Sequence, residues 1–284
     1  LEATWKYLMV GAVGIAFALL GTFFLAYGQR VAGAGGDLTF ASLRAGPIHP
    51  DWLRMGFVLL LVGYGTKLGL APLHTWKPDA YGETPGIVGA LLAGGMTTIA
   101  FLALARCVGV VEACGDGAFA HRVLIVMGLV SMAWAAVFMV RQTDLKRLLA
   151  YSSVEHMGIL VIALALGPTA ALPCIIHLAG NALAKAVLFL STGNIHRAFA
   201  SKHIPVVTGA ITRLPWSGAL LLGGLFAVTG SPPFAPFLSE FGIISSAFGQ
   251  GAWWTGGLVL GFLALIFIGL SSTLIVAVQG EPVK

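Results

Sequence analysis

Eight apolar stretches, most of them near the length that crosses a bilayer, dominate this chain: about 4–28, 54–74, 86–111, 122–141, 146–166, 170–194, 215–248 and 252–279. A helical span needs roughly 20 apolar residues, and in hydrocarbon only helices or closed barrels satisfy every backbone polar group. The pattern therefore predicts an all-α integral membrane protein, with residues 1–284 forming a single membrane domain. Composition agrees: 58% of residues are hydrophobic and 10% charged, against about a quarter charged in soluble domains. Thirty-eight glycines suit helices that approach closely without a hydrophobic effect between them. The net charge of +5 is carried by scattered cations between apolar runs, so it reads as a lipid-surface orientation signal and not as a nucleic-acid footprint.

Two stretches are interrupted. The second breaks at Gly69 to Pro72, and the seventh is too long for one span and is cut by TGSPPFAP (229–236), which contains Pro232 and Pro233. Broken helices are tolerated inside a membrane only where the break is buried in protein or lines a hydrated cavity. A pair of breaks suggests the internal repeat of transporter folds, with 1–120 closing a first repeat and 121–284 forming a second. Counting cations in alternate loops sets Lys6, Lys77, Arg141, Lys146, Arg147, Arg197, Lys202, Arg213 and Lys284 on one side. Arg30, Arg44, Arg54, Arg106 and Arg122 fall on the other. The richer side is expected in the cytoplasm.

Lys67 and Lys185 belong to neither side; they lie within spans. A charged lysine at mid-bilayer costs about 2.5–3.5 kcal/mol even on the lenient insertion scale. Burial disfavours its charged form and a nearby carboxylate favours it, so an amine between these pulls can load and release a proton. On the sixth span, IIHLAGNALAKAVLF places His177, Asn181 and Lys185 at i, i+4 and i+8, one stripe about 12 Å long at 1.5 Å per residue. Glu240 follows the second break and is the one carboxylate this reading places well inside a span in the distal half. Structural readings stand beside these: Lys67 snorkelling to the interface, His177 as a hydrogen-bonded packing group, and His156 in SSVEHMG as either relay or structural residue. Glu2 and Lys6 form an i, i+4 pair, His74, Asp79 and Glu83 fall in an expected loop network, and Asp144, Lys146 and Arg147 read as cytoplasmic anchors.

Cys107, Cys114 and Cys174 are odd in number and lack CxxC spacing, so neither a disulfide framework nor an iron-sulfur site is indicated. No recognisable ligands for haem, flavin or nickel occur either, and no cofactor is expected. The chain starts with Leu1, shows no signal peptide, and is expected to lack a natural N-terminus.

Six collinear stretches carry a resemblance: LEATWKYLMVGAVG (1–14), GYGTKLGLAPLHTWKPDA (63–80), ETPGIVGALLAGG (83–95), DLKRLLAYSSVEHMG (144–158), HLAGNALAKAVLFLSTGNI (177–195) and GSPPFAPFLSEF (230–241). Together they resemble the antiporter-like, proton-translocating subunits shared by respiratory complex I, multisubunit cation antiporters and membrane-bound hydrogenases. HTWKPDAYGETPG and AYSSVEHMG point to the hydrogenase-4 component F branch. The resemblance implies a fourteen-helix fold of two inverted five-helix repeats, of which this chain would supply the sixth to thirteenth helices. It makes Lys67 the lysine of the first broken helix, Lys185 the central lysine, and Glu240 the acidic group of the second broken helix. Two departures stand out. The glutamate that pairs with the first lysine would precede residue 1, and where several relatives carry Lys or His on the eighth helix this chain has Gly94, Thr97 and Thr98.

The expectation is thus a multi-pass subunit of a bacterial or archaeal cell membrane that moves protons through Lys67, Lys185, Glu240, His177 and His156. Electron transfer would belong to other membrane and peripheral subunits of a hydrogenase or complex I-like assembly. The alternatives are a sodium/proton antiporter subunit and a structural membrane subunit without transport.

Overall fold

The computed structural model describes residues 1–34, 37–140 and 142–280. Arg141 and Lys284, two of the cations used for orientation, lie outside the described residues. Helix α1 (Glu2–Val31) opens the chain, followed by the short α2 (Phe40–Ala45). α3 (Pro50–Leu68) starts with proline in its first turn, where the missing N–H is not needed. It ends at Gly69, whose φ of +74° is left-handed. After a turn containing Pro72, the same span resumes as α4 (Trp76–Glu83). The third span is continuous in direction: α5 (Gly86–Ala90), a π-helical turn (Leu91–Met96), then α6 (Thr97–Ala113).

α7 (Gly117–Met139) returns across the bundle. α8 (Leu145–Ala165) is started by Asp144, whose carboxylate accepts from the Lys146 and Arg147 amides at 2.9 and 3.0 Å. A cap of this kind contributes about 1 kcal/mol. A 3-10 turn (Gly167–Ala170) leads into α9 (Ala171–Phe199). The short α10 (Ala210–Arg213) precedes α11 (Pro215–Val228). The second break separates α11 from α12 (Ala235–Gly249), and α13 (Trp253–Gln279) closes the described chain. Peptides Ala71–Pro72 and Pro232–Pro233 are cis. Apart from one isolated bridge between Asp144 and His203, the described residues are helices, turns and bends. Six helical stretches are long and apolar enough to cross a membrane, and the two broken helices supply the other spans.

α1 lies along α3 at short range. A side chain on Gly21 would meet the Gly56 carbonyl at 2.8 Å, so backbone touches backbone there. This is the small-residue packing that dispersion and close approach favour in lipid. α8 is the interior helix, buried over nearly its whole length between α7 and α9, whereas α1 and α13 leave most of their apolar surface exposed.

One boundary departs from the sequence reading. Residues 76–83, taken as loop, form α4, and Lys77, counted among the loop cations, is fully buried. Pro78 disguised the helix, yet it occupies the first turn, where a proline costs no hydrogen bond. Removing Lys77 from the tally leaves the charge bias between the two faces in place. The cation-rich face is tied together by ion pairs: Lys6 to Glu2 and Asp79, both 2.7 Å, Arg147 to Asp79 at 2.5 Å, and Lys202 to Glu83 at 2.7 Å and Asp144 at 3.2 Å. The structural network expected for Asp79 and Glu83 is therefore present; His74 instead lies buried beside Trp134, ring centroids 5.4 Å apart.

Candidate proton-relay site

The first break is held by side chains rather than by backbone alone. Trp76 Nε1 donates to the Thr66 carbonyl at 2.8 Å, and Lys77 Nζ donates to the Leu68 carbonyl at 2.6 Å. The Ala71 amide donates to Ser131 Oγ on α7 at 2.9 Å. Groups freed by the missing helical turn are thus satisfied in the interior, as a membrane requires. Lys67, in the last turn of α3, takes no part in these bonds. Its ammonium stands 5.0 Å over the Tyr7 ring and packs against Gly11 of α1.

The other four expected relay groups meet in the centre. Lys185 on α9 is fully buried and donates to Ser152 Oγ on α8 at 2.5 Å. Ser152 in turn lies 3.5 Å from Glu155 Oε2, and Glu155 Oε2 is 3.8 Å from His156 Nε2. His156 Nδ1 contacts His177 Nε2 at 3.1 Å, and His177 Nδ1 contacts Ser239 Oγ on α12 at 2.9 Å. Ser239 gives its own hydrogen to the Pro236 carbonyl at 2.8 Å. It can therefore only accept from His177, which places a hydrogen on His177 Nδ1 and leaves Nε2 to accept from His156 Nδ1–H. With both rings neutral, this bonding pattern assigns both tautomers. The free lone pair of His156 Nε2 then faces Glu155, and that nitrogen has no hydrogen-bond partner among the described residues.

Glu240 joins from α12. One donor atom each from His156, His177 and Glu240 falls within 4.8 Å of the others, a spacing that suits a shared proton or a small cation. The second break positions this carboxylate: Gly230, at φ +62°, leaves the space that the Glu240 side chain fills. Pro232 and Pro233 form the turn between the half-helices. Asn181, between His177 and Lys185 on the stripe, is buried with its Oδ1 unpartnered among the described residues. On the third span, Thr97 and Thr98 bond back to the carbonyls of Ala93 and Gly94 at 2.6 and 2.5 Å.

Glu155 corrects the expectation that Glu240 was the one carboxylate inside a span in the distal half. It is fully buried at the middle of α8. The signal was present in SSVEHMG: an acid in the middle of an apolar span carries the same desolvation cost that singled out Lys185. Ser152 and Ser239 were missed because serines are common inside transmembrane helices and nothing in their spacing marks them.

Comparison with known proteins follows the same lines. Residues 1–269 match the family described as NADH:quinone oxidoreductase/Mrp antiporter, transmembrane. The chain belongs to that family. A hydrogenase-4 component F homologue of Methylacidiphilum infernorum is 36% identical over 271 residues, covering 94% of this chain and 57% of that protein. NADH-quinone oxidoreductase subunit N of Desulforudis audaxviator is 30% identical over 253 residues, covering 88% of this chain and 50% of the relative. The chain thus spans about half the length of these curated relatives. Among solved structures, a chain of respiratory complex I from Thermus thermophilus superposes with a TM-score of 0.77 at 28% identity, over 100% of this chain and 61% of that one. A chain of the Mrp complex from Dietzia shares the fold, with a TM-score of 0.88 at 22% identity over 99% of this chain and 52% of its own. The NADH:quinone oxidoreductase/Mrp antiporter family is a membrane family, and the all-helical fold with its apolar spans is that of its antiporter-like members.

Proposed function

We propose that this chain is the proton-conducting part of a membrane subunit in an energy-converting oxidoreductase complex of the hydrogenase-4 or complex I type. The observation that carries this reading is the buried series Lys185, Ser152, Glu155, His156, His177 and Ser239, hydrogen-bonded except for a 3.8 Å approach between Glu155 and His156, with Glu240 beside the imidazoles. A proton reaching His156 Nε2 releases the Nδ1 proton to His177 Nε2, and His177 releases its own Nδ1 proton toward Ser239 and Glu240. The hop between the rings breaks one N–H bond and forms another, and the last hop breaks an N–H bond and forms an O–H bond, so charge crosses without either ring moving far. Lys185 feeds or drains this line through Ser152 and Glu155. Lys67, set against α1, serves the half of the path formed with the first repeat. The redox reaction belongs to partner subunits, which the named relatives' assemblies support.

The sodium reading draws on the carboxylate near the break, but two of the three clustered donors are imidazoles, whereas hard cations take oxygen ligands. Replacing Lys185 with Met in the full-length subunit within its assembled complex tests the proposal. Proton translocation into membrane vesicles is expected to fall at least tenfold, with the complex still assembled. Unchanged translocation leaves a structural role, and a wild-type rate that depends on sodium favours antiport.

A further inference from the structure

The relay uses Lys67 and Lys185, but the bundle also encloses Lys77. Lys77 is fully buried in the first turn of α4, and its stem runs over Gly69 at the break. Its ammonium reaches the Leu68 carbonyl and lies 5.7 Å from the centroid of the buried Tyr81 ring. Tyr81 packs edge-on against Phe189 of α9 at 5.4 Å, which fixes α4 against the helix that carries Lys185. Lys77 precedes Tyr81 by one turn of α4, and Lys185 precedes Phe189 by one turn of α9, so the contact between the two rings brings the segments that carry the two amines together. Tyr81 of α4 and Ser153 of α8 are both fully buried, and neither hydroxyl makes a hydrogen bond of standard geometry among the described residues.

A fixed cap for one carbonyl does not need an ammonium. A neutral donor closes the same bond, and a buried charge costs several kcal/mol unless paired. Two like charges inside one low-dielectric bundle repel over a long range, so the pair is most stable with fewer than two extra protons. We propose that Lys77 is a proton carrier coupled to Lys185, joining the first broken helix to the centre of the bundle. The exchange balances: one N–H bond of an ammonium breaks, one forms on the other amine when that amine is neutral, and no electron moves. The buried Tyr81 and Ser153 hydroxyls supply polar footing between the helices. Loading Lys77 drives the proton from Lys185 toward Glu155 and His156, so direction comes from repulsion between the two amines.

This inference rests on the relay reading, and the experiment separates their failures. Lys77→Met and Lys77→Arg are made in the full-length subunit beside Lys185→Met. Assembly is read on native gels, and proton uptake is read in vesicles with the complex's own driving reaction. Arginine keeps the charge and the donor to Leu68 but does not deprotonate, so both Lys77 variants are expected to lose at least tenfold in proton uptake while assembled. Wild-type uptake in Lys77→Arg makes the residue a fixed cap and overturns the proposal, as does wild-type uptake in Lys77→Met. Failure of both variants to assemble also overturns it, in favour of a structural role. If Lys185→Met stops uptake while a Lys77 variant retains it, the carrier role of Lys77 alone falls. If Lys185→Met leaves uptake intact, the relay reading falls with it.

Discussion

Ser239 decides which nitrogen of His177 carries its hydrogen, because its own hydroxyl hydrogen is directed at the Pro236 carbonyl. Without that acceptor, His177 Nδ1–H is buried and unpaired, at a cost of about 1–3 kcal/mol, or the ring changes tautomer and the donor order along the histidine pair reverses. Ser239→Ala is therefore expected to lower proton translocation several-fold and to lower the thermal midpoint in detergent. Ser239→Thr, which keeps the hydroxyl, is expected to restore both. At this scale the sequence was readable where one polar residue interrupts an apolar helix, as with Lys185 and His177. It was unreadable where a neighbouring signal misled: Pro78 made Lys77 look like loop, and the adjacent His156 drew attention from Glu155.

Elements are fixed to one another by charges at the bundle's ends. Arg54 of α3 holds Asp116, the residue before α7, with two bonds of 2.5 and 3.0 Å. The Arg54 hydrogen bond, more than its long-range field, holds the Asp116 carboxyl below its usual range. A carboxyl depressed in the folded state contributes stability that is fully present above the unfolded value, about 3.9. That stability is lost as pH falls through the lower folded value. Thermal unfolding in detergent is expected to show this loss below about pH 4, and Asp116→Asn is expected to remove that part of the pH dependence. The eight spans and both breaks were legible in length and hydropathy, because bilayer thickness sets the ruler. The second half of the first broken helix was not, because α4 is only eight residues long and carries three charges, too little apolar surface to register as a span.

For the whole molecule, the cation-rich face formed by Lys6, Asp79, Glu83, Arg147 and Lys202 is expected to lie in the cytoplasm. In a background with Cys107, Cys114 and Cys174 replaced, His203→Cys is expected to react with a membrane-impermeant maleimide only from the cytoplasmic side. Ala118→Cys, at the opposite end, is expected to react only from the other side. Hydropathy could not tell which span sits in the middle, since it weighs each span by itself and enclosure depends on neighbours.

The enclosure of α8 has an electrical consequence. Ser152, Glu155 and His156 all sit on a helix that is screened from lipid by its neighbours. Hydrocarbon chains cannot reach these groups, so changes in lipid composition or bilayer thickness leave their local field almost untouched. A conductor sheathed in this way keeps its characteristics from one membrane to another, and whatever regulates the current must act at the two ends.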